Sequence, residues 1–229
     1  MTNPPSQGDQ PARETKAGIL QEAAREEIKR RVLSGEMGSG TLLSEEALAA
    51  ELKMSRTPVR QALQQLVSLG LLERFPGRGV MVSMVDVTRM RNIIEVQECL
   101  LAWCLPRLCT QRDVDLTDAM AAYEDQRRAL ADGDTPSILE AARRMDVALV
   151  AASGNAEMAR IMREISDLLL HAAAHTLKRT HDFADAIAEH GTILEAIQRR
   201  DLTGLNAALA RHGAGIRERL ASGGAAHPT

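Results

Sequence analysis

The chain has 229 residues, 45% of them apolar and only 2% aromatic, with a formal net charge of −3. That length allows two small domains with a sizeable core, and scarce aromatics beside abundant Ala and Leu favour helices over sheets. The sequence has no apolar run of membrane-spanning length and no signal-peptide pattern, so the expected location is the cytoplasm, away from any membrane. The odd set of Cys99, Cys104 and Cys109 argues against a secreted disulfide framework. Its five-residue steps turn about 140° around a helix, so the three thiols share no face and make poor joint metal ligands.

The first fourteen residues are polar and Pro-rich, which predicts a disordered tail. Ser44 to Leu52 reads as a short amphipathic helix capped by Ser44. Lys53-Met54 joins it tightly to a second helix that Ser55 is placed to cap. Pro58 suits a first turn that needs no donor there. Leu63, Leu66 and Val67 give that helix one buried stripe, and Gly70 ends it. Arg56 and Arg60 lie four apart on one face. Leu71 to Phe75 and Val80 to Val82 predict two strands of a hairpin around Pro76-Gly77-Arg78-Gly79. Two helices on a tight turn, followed by a hairpin, make a winged helix-turn-helix. Residues 53–83 carry five positive charges, on Lys53, Arg56, Arg60, Arg74 and Arg78, against Glu73 alone. Such a local excess in an acidic chain is what a phosphate-facing surface requires.

From about residue 86 the pattern is helical throughout. Residues 86–109 are apolar-rich, with Pro106 expected to kink or stop the helix. Further helices are expected over Asp113–Ala131, from Thr135-Pro136 to Ser153 with Thr135 as cap, and from an Asn155 cap to Thr180. The last two run from Asp182 to Arg200 and from Asp201–Thr203 to Leu220, with Gly154 as a stop between the middle helices. Six helices and no strand predict an antiparallel bundle, an architecture that holds ligands in its core. The final residues, 222–229, read as a second disordered tail.

Ser55-Arg56-Thr57-Pro58-Val59-Arg60, then Ala62-Leu63, Leu66, Gly70-Leu71 and Pro76-Gly77-Arg78-Gly79, resemble the signature of GntR-family bacterial transcription regulators. The resemblance covers roughly residues 17–83, with Ile19–Leu33 as the first helix, inside a head placed at residues 15–83. It implies that Arg56, Thr57 and Arg60 contact an operator and that Gly77 and Arg78 form the wing tip. Ser55 and Arg74 complete the candidate DNA-facing set. Where some relatives carry a basic residue, this chain has Glu46.

The later segments Asp146-Val147-Ala148-Leu149-Val150, Ala152-Ser153-Gly154-Asn155, Glu189-His190 with Ile193, Ala196-Ile197 and Asp201, and finally Ala207 and His212 resemble the FCD domain. This is the ligand-sensing half of FadR-type GntR regulators, here residues 84–221. The resemblance implies a divalent metal such as zinc, held by an aspartate, a histidine four residues on, and two later histidines. This chain keeps Asp146, His190 and His212 but has Val150 at the second position, and valine has no lone pair to give. Gln97 stands where an arginine is usual, and Leu101 where a glutamate is common.

Three readings stay open: a weakened site of Asp146, His190, His212 and waters; a site that recruits His171 or His175; or no metal. The candidate effector pocket is therefore Gln97, Asp146, Val150, His171, His175, His190 and His212. Loss of the arginine and of a histidine implies an effector less acidic or larger than a small dicarboxylate. The whole predicts a homodimeric, ligand-responsive regulator, in the repressor role commoner in that family, on a near-palindromic double-stranded operator. A zinc hydrolase has no nearby nucleophile pattern and would leave the basic head without a use; a DNA-binding protein with a degenerate pocket is the other alternative.

Overall fold

The computed structural model describes residues 16–75, 79–84, 87–176 and 181–224. Gly77 and Arg78, the expected wing tip, lie outside the described residues, as do residues 1–14 of the first tail and 225–229 of the second, whereas residues 222–224, expected in that tail, close the last helix.

The N-terminal unit runs α1 (Lys16–Leu33), β1 (Leu42–Leu43), α2 (Glu45–Glu51), α3 (Arg56–Leu69), β2 (Leu72–Phe75) and β3 (Gly79–Val82). Ser44 caps α2 by accepting the Ala47 N–H at 3.3 Å. Ser55 stands at the cap position of α3 with extended backbone, but its hydroxyl makes no capping bond, contrary to expectation. Lys53 closes the turn between the two helices with φ 54°. Gly70 ends α3 at φ 79°, in the left-handed region that glycine enters without strain. The hairpin forms with Glu73 opposite Met81 and Phe75 opposite Gly79. A third strand, β1, was not expected; it pairs antiparallel with β3, giving the order β1-β3-β2. Ile28, Leu63, Leu66, Leu71, Leu72 and Val82 fill the core between α1, α3 and this small sheet.

The remaining described residues form the helices α4 (Val87–Thr110), α5 (Thr117–Asp132), α6 (Thr135–Ala152), α7 (Ala156–Thr176), α8 (His181–Gln198) and α9 (Leu202–Gly224). Pro106 neither stops nor divides α4, which continues through it to Thr110. The carbonyl deprived of its partner belongs to Ala102, on the exposed side where water can serve it, while Leu105, Leu108 and Cys109 pack into the core. Two helix starts also differ from expectation. Asp115 accepts the Thr117 N–H at 2.9 Å and delays α5 to that residue. Asp134, rather than Thr135, caps α6 by accepting the Ser137 N–H. Asn155 caps α7 as expected, through the Met158 N–H at 3.1 Å. The bundle core centres on Leu105, Leu108, Met145, Leu149, Met162 and Leu205.

Candidate functional site

In the N-terminal unit, α3 buries Pro58, Val59, Ala62, Leu63 and Leu66 against its own core. The face left outward carries Ser55, Arg56, Thr57 and Arg60, all exposed, and Arg74 is exposed on β2. Arg56 lies 3.6 Å from Glu46 of α2, an ion pair in which both side chains are mostly in water; such pairs contribute little. Among the described residues, Arg60 and Arg74 have no acidic partner. The outward face of α3 therefore presents, in Arg60, a guanidinium that no described acid neutralises, beside an Arg56 that is only weakly paired.

The bundle holds a cavity of about 150 Å³ between α4, α6, α7, α8 and α9. Met90, Ile94, Leu169, Phe183 and Ile216 form much of its apolar wall; its polar groups are Gln97, Asp146, His190, His212, Arg143 and Arg219, with Ser166. An apolar pocket with a few converging polar groups is the usual form of a small-molecule site. Gln97 Nε2 donates to Asp146 Oδ2 at 2.6 Å. Burial pushes the Asp146 carboxyl up to about 6, against the lowering effects of His212 and the Gln97 bond. His190 Nδ1 lies 2.6 Å from Gln126 Oε1, so that nitrogen carries the hydrogen and donates. Burial, then the charges of His212 and Arg219, hold His190 well below the ordinary imidazole range. His212 Nδ1 donates to Glu189 Oε2 at 2.9 Å, and Arg219 reaches the same oxygen at 3.1 Å. Burial works against ionising Glu189, yet the bonds from His212 and Arg219 hold its carboxyl below the usual range. The two imidazole centroids are 4.8 Å apart.

Four of the seven expected pocket residues thus meet at the cavity: Gln97, Asp146, His190 and His212. Val150 does not line it; the side chain is fully buried in the bundle core with Met145 and Leu149. His171 is also elsewhere. Its Nε2 donates to the Ser83 carbonyl at 3.0 Å, near Ser39 Oγ at 3.4 Å, at the seam between the two units. That bond commits Nε2 of His171 to the backbone of the head. The side chain of His175 lies outside the described residues. Metal coordination needs bonds of about 2.0–2.3 Å, and among the described residues no three His, Cys, Asp or Glu side chains stand close enough to hold an ion. The described donor set does not fit a metal centre.

Sequence reasoning missed Gln126, which fixes the His190 tautomer, and Arg143 and Arg219 on the wall. Arg143 lies three residues before Asp146 and Arg219 seven after His212, spacings that share a helix face and were legible as such. Both guanidinium groups are already engaged. Glu140 takes two bonds from Arg143, at 2.8 and 2.6 Å, and Glu189 pairs with Arg219.

Polar contacts among the described residues fasten the head to the bundle. Lys29 of α1 donates to Asp167 of α7 at 2.8 Å, and the other Asp167 oxygen lies 3.4 Å from Arg143, an ion-pair distance. His171 holds the Ser83 carbonyl. Arg89 of α4 donates to the Gly70 carbonyl at 3.0 Å.

The family model of the bacterial regulatory proteins, gntR family, matches residues 20–82, and that of the FCD domain matches residues 89–215. The chain belongs to the gntR family, with an FCD domain behind its head. This gntR-family chain is 37% identical over 86 residues, 38% of its length and 36% of the relative's, to an uncharacterised HTH-type transcriptional regulator in an unstable DNA locus of Streptomyces ambofaciens. It is 37% identical over 82 residues, 36% of its length and 33% of the relative's, to the gluconate operon transcriptional repressor of Bacillus subtilis. The matches span about a third of the length of those curated relatives. Its fold is that of E. coli McbR/YncC, with a TM-score of 0.76 and 22% identity, covering 89% of this chain and 97% of that one. Among the described residues no helix is long and apolar enough to cross a membrane.

Proposed function

We propose that this gntR-family chain is a ligand-responsive transcription regulator. It binds a near-palindromic double-stranded operator as a homodimer in the cytoplasm, acts as a repressor, and senses a small metabolite in the bundle cavity. The observation that carries the DNA half is the outward face of α3: Arg60 has no acidic partner among the described residues and lies on the same face as Arg56. An arginine so placed can give two parallel hydrogen bonds to a guanine edge in the major groove. Ser55 and Thr57 supply hydroxyls to phosphates, and Arg74 a charge at the wing. Two-fold symmetry of the dimer then sets paired half-sites. The repressor reading is supported by the similarity of the head to the gluconate operon transcriptional repressor of Bacillus subtilis.

Sensing follows from the cavity and from α7. That helix carries Ser166 on the cavity wall and, next to it, Asp167, which holds Lys29 of the head. A ligand shifts the placement of the heads only by its differential affinity for the two arrangements. A cavity of about 150 Å³ favours a small effector over a large one. With Gln97 in the position of a charged donor, that effector is less acidic than a small dicarboxylate. Selection of bound sequences from a random DNA pool tests the DNA half; retention of no sequence at modest ionic strength overturns it. Calorimetry tests the effector class, and tight, metal-dependent binding of small dicarboxylates would refute it.

A further inference from the structure

The geometry points to a primary amine with a compact apolar body as the effector, its ammonium group seated among Asp146, the Nε2 edge of His190 and the hydroxyl of Ser166. This rests on the reading of the cavity as a sensor site and names the chemical class it takes.

The first argument is the hydrogen-bond balance of the wall. Nδ1 of His190 and Nδ1 of His212 both give their hydrogens to oxygens of Gln126 and Glu189, which stand outside the cavity lining. The His190 edge turned to the cavity therefore carries Nε2, the acceptor of a neutral ring whose Nδ1 holds the hydrogen. Asp146 is buried and accepts one bond, from the neutral amide of Gln97. Ser166 also lines the cavity, and its Oγ is buried without a partner. A buried polar atom without a partner is costly, and a ligand that supplies N–H groups removes that cost. An ammonium brings three donors and no acceptor, which complements a wall rich in acceptors.

The second argument is charge. Both guanidinium groups on the wall already hold carboxylates: Arg143 with Glu140 and Asp167, Arg219 with Glu189. Asp146 has no arginine or lysine partner among the described residues. A carboxylate ligand would meet that anion with no free cation to offset it. The charge of His212 acts on Asp146 without a hydrogen bond between them, and an ammonium would bond that buried carboxylate directly, where pairing matters most. Hydrogen bonds to an ammonium span about 2.7–3.2 Å, wider than metal bonds, so the cluster can serve an amine without closing to metal-ligand distance.

The third is size. A cavity of about 150 Å³ lined by Met90, Ile94, Leu169, Phe183 and Ile216 is of the order that takes a single benzene ring. Benzylamine is thus a suitable probe, with benzyl alcohol and benzoate as its neutral and anionic counterparts.

The experiment is calorimetry and thermal shift on the chelator-treated, full-length protein with each probe. Benzylamine is expected to bind at least tenfold more tightly than benzoate. Asp146→Asn should abolish most of that preference, and Ser166→Ala, a milder change in case the first variant folds poorly, should weaken benzylamine more than benzyl alcohol. Equal or tighter binding of benzoate or benzyl alcohol overturns the amine assignment while leaving the sensor reading intact. A response that needs added zinc, or no response to any probe, also overturns it. Sensing itself falls only if metabolite extract, too, fails to change operator binding.

Discussion

The head and the bundle handle charge in opposite ways. In the head, the core is apolar, and the guanidinium groups of Arg56, Arg60 and Arg74, proposed to meet DNA, stand in solvent. In the bundle, surface pairs such as Arg160 with Glu157 and Glu164 lie outside, while the polar groups Gln97, Gln126, Asp146, His190 and His212 are buried. A surface for a polyanion works by leaving cations unneutralised at no desolvation cost. A site for a small molecule works by burying polar groups that stay incompletely matched until a ligand arrives. Stability and function are therefore nearly separable in the head and entangled in the bundle.

The sharpest way to break that contrast is through the head core. Leu66 is fully buried, and Leu66→Ala should destabilise the head by about 2–5 kcal/mol. Calorimetric melting should then show a head transition at lower temperature, with loss of DNA binding, while the bundle transition stays put. A uniform fall of one transition would show that the two cores unfold as one. Next in size is Arg60→Ala, expected to cost about 1–3 kcal/mol in operator affinity and to relax preference at one base position, with no change in melting temperature. Measured affinities that fall equally for every operator variant would instead make Arg60 a phosphate contact.

The bundle offers a pH test of similar or smaller size. Asp146 rises from its ordinary 3.8 to about 6 in the folded protein, so between roughly pH 4 and 6 the folded state holds a proton that the unfolded chain has lost. Its contribution to stability falls as pH rises through that window. His190 is held well below its ordinary 6.5, so the unfolded chain protonates first on acidification. Its contribution is lost as pH falls through its folded value and is fully present above 6.5. The two slopes oppose each other. Asp146→Asn should leave the His190 slope unmasked, giving a steeper rise of stability with pH, and should gain about 1–3 kcal/mol near neutral pH. Denaturant titrations at stepped pH check both; an unchanged profile would mean Asp146 is not buried as charge. The smallest contrast is between two serines. Ser44→Ala should cost about 0.5–1 kcal/mol, whereas Ser55→Ala should leave folding nearly untouched, because only Ser44 caps its helix, and weaken DNA binding instead.

Much of this was legible because local chemistry decided it. Ser44, Gly70 and Asn155 act where their side chains or φ preferences require, and the apolar spacing of α3 matches its buried face. Two residues at Leu42–Leu43 are too few to show a strand period, so β1 was hidden until β3 was there to pair with it. Pro106 misled because its penalty falls on an exposed carbonyl while its neighbours bury apolar surface. In the site, Asp146, His190 and His212 were legible as types. Their company was not: Gln126 reaches His190 across 64 residues of sequence, and His171 was drawn to the seam by the Ser83 carbonyl. Long-range pairing leaves no periodic trace in a single chain.

Gly70 carries a consequence for how the two units are joined. Its φ of 79° ends α3, and a Cβ there would overlap the guanidinium of Arg89, which instead donates to the Gly70 carbonyl. The missing methyl is the berth for an arm reaching from the bundle to the very end of that helix. Any larger residue would evict that arm as well as strain the turn, so one hydrogen atom in place of a side chain both stops a helix and moors it to the other unit.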